Sequence, residues 1–205
     1  MRTTGARSYQ KKDYKAAFAG FKRLAEQGDA SGQFGLGVMY ADGAGLPKDE
    51  RQAVFWYGKA AEQGEALGQF NLGVMYEAGR GVPKDDQQAA LWYRKAAEQG
   101  DAFGQFNLGA LYAAGAGVPK DERQAAFWYR KAAEQGNASS QFNLGGMYNN
   151  GRGVPKDDQT AYFWWLLSSA TGNASATRNR DIVEKRLTPQ QRANAQADAR
   201  VWKPQ

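Results

Sequence analysis

The chain has 205 residues, of which 42% are hydrophobic and 13% aromatic, enough apolar material for a folded core. It has no cysteine and no histidine, which excludes disulfides, thiolate chemistry and the commonest general base and metal ligand; no apolar run nears the roughly 18–20 residues of a membrane span. The net charge of +6 is interleaved with acids through most of the chain, the pattern of a solvated face, whereas a nucleic-acid surface needs clustered Lys and Arg beside stacking aromatics.

Gly28, Gly64, Gly100, Gly136 and Gly172 lie 36 residues apart, with no insertion between them. A fixed period of that length is the mark of a solenoid built from small supersecondary units. Residues 1–27 form an irregular first unit. A first helix is expected within residues 2–11, a tight turn at Lys12-Asp13-Tyr14, and a second helix whose Ala17, Phe21 and Ala25 stand in register with later units.

Four regular units follow, 28–63, 64–99, 100–135 and 136–171. In the second, a helix is predicted from Ala66 to Ala78, behind a capping position held by Asp29, Glu65, Asp101 and Asn137 in the successive units. Gly79 stops it by entering the left-handed turn. The linker GRGVPKD cannot extend a helix through Pro83. A second helix starts at Asp85, where Asp85 and Gln88 fit a capping box, as do Asp49 with Gln52 and Asp121 with Gln124. Small residues (Gly73, Ala89, Ala96) alternate with large ones (Leu72, Tyr76, Trp92, Tyr93) at helical spacing, and such a hairpin cannot bury its own face without neighbours.

The fourth unit loses its charges at Trp164-Trp165-Leu166-Leu167, which predicts that another segment covers this surface. Residues 172–205 are the expected cover. Thr188-Pro189 reads as an N-cap followed by proline at the first helical position, opening a last helix to about Val201. The expected fold class is all-α, an α/α solenoid of about twelve helices without strands.

Nothing along the chain announces a reaction. Gly-x-Gly-Val-Pro is a helix stop without the Lys and Ser/Thr of a phosphate loop. Asp85 and Asp86 are neighbours on a helix start and diverge. No catalytic residue, metal ligand or cofactor is therefore assigned.

The motif A-x-x-Q-F-x-L-G-x-x-Y-x-x-G-x-G-V-P-x-D-x-x-x-A-x-x-W-Y-x-K-A-A-E-Q-G, nearly unbroken from Gly28 to Thr171, closely resembles the Sel1-like repeat family, relatives of tetratricopeptide repeats. The resemblance implies a right-handed superhelix. A tetratricopeptide-like capping unit (1–27) would precede four repeats (28–171) and a C-terminal helical cap (172–205), and the first helices would line a concave surface. Family members are adaptors for proteins or peptides, some of them in secretion, signalling or immunity against toxins. The implied localisation is periplasmic or secreted, with the export leader absent from this sequence; cytoplasmic is the alternative.

On that geometry the concave positions include Phe34, Leu67, Phe70, Val74, Phe103, Phe106 and Phe142, with Asn71, Asn107 and Asn143 beside them and Glu77, Asn149 and Asn150 to tune specificity. Two readings of the phenylalanine series stay open: core packed between helices, or an exposed ladder for an extended segment. The asparagines would bond either a bound backbone or a neighbouring helix. The expected function is a protein-binding scaffold, monomeric on its own, with a protein or peptide partner, no nucleic acid and no membrane span. An immunity or inhibitor protein against a secreted bacterial toxin, such as a lipase effector, is the alternative. A cell-wall or lactam hydrolase ranks below both, because the family members linked with penicillin binding are cysteine-rich.

Overall fold

The computed structural model describes residues 4–204. Those residues form twelve helices and no strand: α1 (Thr4–Gln10), α2 (Tyr14–Glu26), α3 (Ala30–Asp42), α4 (Glu50–Glu62), α5 (Ala66–Ala78), α6 (Asp86–Glu98), α7 (Ala102–Ala114), α8 (Glu122–Glu134), α9 (Ala138–Asn150), α10 (Asp158–Ala170), α11 (Ala174–Glu184) and α12 (Pro189–Val201). The expected α/α solenoid class and helix number hold.

The chain divides into two compact units, one ending at Asp101 and one beginning at Ala102. In the first, hairpins α1–α2, α3–α4 and α5–α6 stack in order, α2 against α3 and α4 against α5. In the second, α7–α8 and α9–α10 are hairpins joined by α8 against α9, and α11 and α12 both pack on α10.

Local chemistry sets the helix ends. Gly79 adopts φ +66° and its N–H bonds back to the Met75 and Tyr76 carbonyls, as a left-handed C-cap does. Asp49, Asp85 and Asp121 cap the second helices, each carboxylate accepting from the N–H groups two and three residues on. The reciprocal glutamine bond expected at those three sites is not formed; among the described residues the complete capping box is at Thr188 and Gln191.

The core repeats with the sequence. Leu36, Leu72, Leu108 and Leu144 are buried in the first helices, and Tyr57, Tyr93, Tyr129 and Trp165 in the second. Each aromatic ring lies flat on a glycine of its own hairpin: a Cβ on Gly73 would stand 2.7 Å from Tyr93, and one on Gly109 3.0 Å from Tyr129. Two further helix-interior glycines, Gly32 and Gly68, have the same explanation. A Cβ at Gly68 would come within 2.9 Å of the Ala60 Cβ, and one at Gly32 would collide with Leu24. Close helix approach outweighs the roughly 1 kcal/mol that glycine costs in a helix.

The tryptophan series is less uniform than the sequence implies. Trp164 is buried, while Trp56, Trp92 and Trp128 are half-buried, and the Lys95 ammonium lies 4.1 Å from the Trp92 ring centroid. The C-terminal helices α11 and α12 pack on α10. Ala199 and Trp202 pack against the cluster containing Tyr129 and Trp164, and the Gln196 amide donates to the Tyr162 hydroxyl at 3.0 Å.

Candidate functional site

The aromatic positions singled out in the sequence lie on the first helices. Phe34, Phe70 and Phe106 each tilt over the second-helix tyrosine of their own hairpin, with ring centroids 5.9 Å from Tyr57, Tyr93 and Tyr129. Such pairs contribute about 0.5–1.5 kcal/mol beyond area burial. In repeat four tryptophan replaces tyrosine, and the Trp165 Nε1–H donates to the Phe142 carbonyl at 3.0 Å. All four phenylalanines are half-buried. The two sequence readings therefore meet: one side of each ring is packed within its hairpin, and part of it stays open.

One turn earlier, Leu67 and Phe103 are 45% and 60% exposed. Val74 is half-buried. The asparagines do not act as a set. Asn71 donates to the Leu67 carbonyl of its own helix at 2.8 Å, Asn143 shares a bond with the Tyr129 hydroxyl, and Asn107 is half-buried. Glu77 accepts from the Tyr93 hydroxyl at 2.6 Å, which ties its carboxylate into the hairpin. Asn149 donates to Asn150, Asn150 donates to the Gly146 carbonyl at 2.9 Å, and Arg186 reaches back to Asn149.

Behind this face runs a glutamine ladder. Gln69 and Gln141 donate to the Ala61 and Ala133 carbonyls at 3.1 Å, and Gln63, Gln99 and Gln135 donate to Gln33, Gln69 and Gln105 at 2.6–2.9 Å. Of these, Gln33, Gln69, Gln105 and Gln141 are buried, and buried polar groups must find partners. Burial also pushes the hydroxyls of Tyr57, Tyr129 and Tyr162 up from their ordinary pKa. Tyr9, which donates to Asp42 at 2.7 Å, is pushed up to about 12 by burial and then by that carboxylate. No group of three His, Cys, Asp or Glu side chains among the described residues could hold a metal ion, and no described helix is long and apolar enough to cross a membrane.

Sequence reasoning passed over a second apolar series. Phe55, Leu91 and Phe127 occupy one position of the second helices and are all exposed, and Phe163, their counterpart in repeat four, is half-buried in a cleft with Val201 and Trp202. The signal was the same 36-residue period that revealed the phenylalanines of the first helices.

With this geometry in place, the comparisons are specific. The family model described as Sel1 repeat matches five times, at residues 3–29, 30–65, 66–101, 102–137 and 138–173. Among solved structures, the chain is similar to c5321, a protective antigen present in uropathogenic Escherichia coli strains and displaying an SLR fold (41% identity, TM-score 0.82, 91% of this chain and 40% of that one). It is also similar to a Sel1 repeat protein from Oxalobacter formigenes (38% identity, TM-score 0.80, 84% of this chain and 71% of that one). It shares the fold of immunity protein Pa5087 from Pseudomonas aeruginosa (20% identity, TM-score 0.50, 92% of this chain and 76% of that one). The chain thus spans well under half the length of the E. coli protein. No curated protein matches it.

Proposed function

The chain belongs to the Sel1 repeat family, whose members mediate protein–protein interaction, and from that premise we propose that it is a non-catalytic scaffold that holds a partner through exposed apolar residues of its first helices. The observation that carries this reading is the exposure of Leu67 and Phe103 beside half-buried, tyrosine-backed phenylalanines. Apolar side chains held open on a rigid support are what a binding surface requires. The absence of histidine and cysteine from the sequence supports a recognition role over catalysis.

The test is capture of a partner from bacterial envelope extract by the wild-type chain and by a Leu67→Ala/Phe103→Ala variant. Both side chains are exposed, so the helical circular dichroism stays unchanged while capture is lost. Undiminished capture by the double variant places the partner elsewhere, with Phe55, Leu91 and Phe127 as the next surface to mutate. A captured secreted toxin, neutralised on binding, would narrow the reading to an immunity protein.

A further inference from the structure

One position on the first-helix face shrinks steadily along the chain: Val38, Val74, Ala110, Gly146. Neither packing nor backbone geometry asks for glycine at the last of these. Gly146 lies inside α9, is not among the residues with positive φ, and a Cβ built on it meets nothing within 4 Å. Glycine there costs the helix up to about 1 kcal/mol relative to alanine.

What the missing side chain leaves is space. Two cavities share Gly146 and Asn150, one of about 230 Å³ floored by Tyr129 and Phe142, the other of about 280 Å³ against Trp165. Each is below the roughly 300–1,000 Å³ of a small-molecule site, so each suits a single side chain better than a free ligand. Each is lined by one charged residue, and both are arginines: Arg152 in the first cavity and Arg186 in the second.

The arginines are held in place by acids that do not line the cavities. Arg152 is fixed by Glu122 at 2.9 Å, and Arg186 by Asp158 at 3.2 Å and by the Asn149 side-chain carbonyl. A guanidinium carries more donors than one such carboxylate takes up, and its planar fork is pre-organised for a second.

We propose that the paired cavities at Gly146 form the anchor site for one large apolar side chain of an extended partner segment, and that Arg152 and Arg186, one in each cavity, select a carboxylate beside that anchor. The inference rests on the scaffold reading and adds to it the chemistry of the partner: an apolar residue next to Asp or Glu. The Asn150 amide stands at the shared wall and donates to the Gly146 carbonyl.

The probe is a phage-displayed library of random short peptides, panned on the full chain, with the enriched sequences synthesised and titrated. Gly146→Val restores the side chain of repeats one and two, and Gly146→Ala that of repeat three. Both melt at or above the wild-type temperature, because the site is open and glycine is the poorer helix former. The expected outcome is enrichment of an aromatic or branched apolar residue adjacent to Asp or Glu. Affinity should fall about tenfold or more with Gly146→Val and less with Gly146→Ala. Arg152→Gln and Arg186→Gln should weaken binding of the acidic peptide but not of its Asp→Asn counterpart. Absence of enrichment, an enriched motif without an acid, or equal affinity for Gly146→Val overturns the assignment. If Leu67→Ala/Phe103→Ala abolishes binding while Gly146→Val does not, the scaffold reading stands and the pocket falls; if neither changes binding, both fall.

Discussion

Glu65 shows how a single repeat can carry a weaker version of a shared part. It caps α5 by accepting from the Gly68 N–H, in the position where Asp29 and Asn137 cap α3 and α9. Its longer side chain folds over the helix end, and burial raises its pKa above the ordinary carboxylate value, opposed by the backbone bonds at Gly68 and Leu67. A raised folded pKa means that the stability contributed is present when the carboxyl is protonated and is lost as pH rises through that value. Glu65→Asn, which does not titrate, is expected to stabilise by about 0.5–1 kcal/mol at pH 7 and by less at pH 4. Thermal melts at the two pH values check this, with a rise of about 2–4 °C at neutral pH per kcal/mol.

At the scale of the element, the linker does more than stop one helix and start the next. Gly81 and Gly153, at φ +71° and +68°, lie directly against the Glu50 and Glu122 carbonyls at the start of the preceding second helix, and a Cβ at either would overlap that backbone. The intervening arginines, Arg80 and Arg152, ion-pair with Glu50 and Glu122 at 2.8 and 2.9 Å. These pairs are half-exposed and contribute roughly 0–1 kcal/mol each, so the glycine contact is the larger effect. Gly153→Ala combines a positive φ with a backbone clash and is expected to destabilise by about 2–3 kcal/mol. Gly58→Ala, where nothing lies within 4 Å, is the control and is expected to be neutral or stabilising by up to about 1 kcal/mol. Urea denaturation of both variants checks the pair.

Over the whole molecule, stability resides in hairpins that share faces. Tyr57 and Tyr93 each back a hairpin of the first unit, while Tyr129 and Tyr162 are buried in the second. Burial holds Tyr57, Tyr129 and Tyr162 in the neutral form, so their contribution is complete below about pH 10 and is lost as pH rises through their raised values. Alkaline titration is expected to show the part of the phenolate absorbance that belongs to these three residues appearing only together with loss of helical circular dichroism. The C-terminal cover is the other molecular-scale device. Trp202 packs on the cluster that includes Trp164, and it stands within 3.9 Å of where a Gly136 Cβ would be. Trp202→Ala is expected to cost about 2 kcal/mol, below the 3–5 of a fully buried tryptophan because the ring is half-exposed. Chemical denaturation checks it.

The amino-acid sequence by itself determined the helices, their ends and their repetition. Asp and Asn caps, glycine stops, prolines and a 36-residue period of apolar residues act over a few neighbouring positions, and translation along the chain carries the same local answer from hairpin to hairpin. Trp164 to Leu167 also replace charges that solvent would have kept, which marks this stretch of repeat four as apolar. Tertiary structure alone decided how far each phenylalanine of the first helices is buried, that Glu77 is taken up by Tyr93, that α12 lies on α10, and that two cavities, each lined by one arginine, meet at Gly146. Those outcomes depend on which side chain from another helix arrives at a given point. The periodicity of a single helix records that a face is apolar, not what fills it.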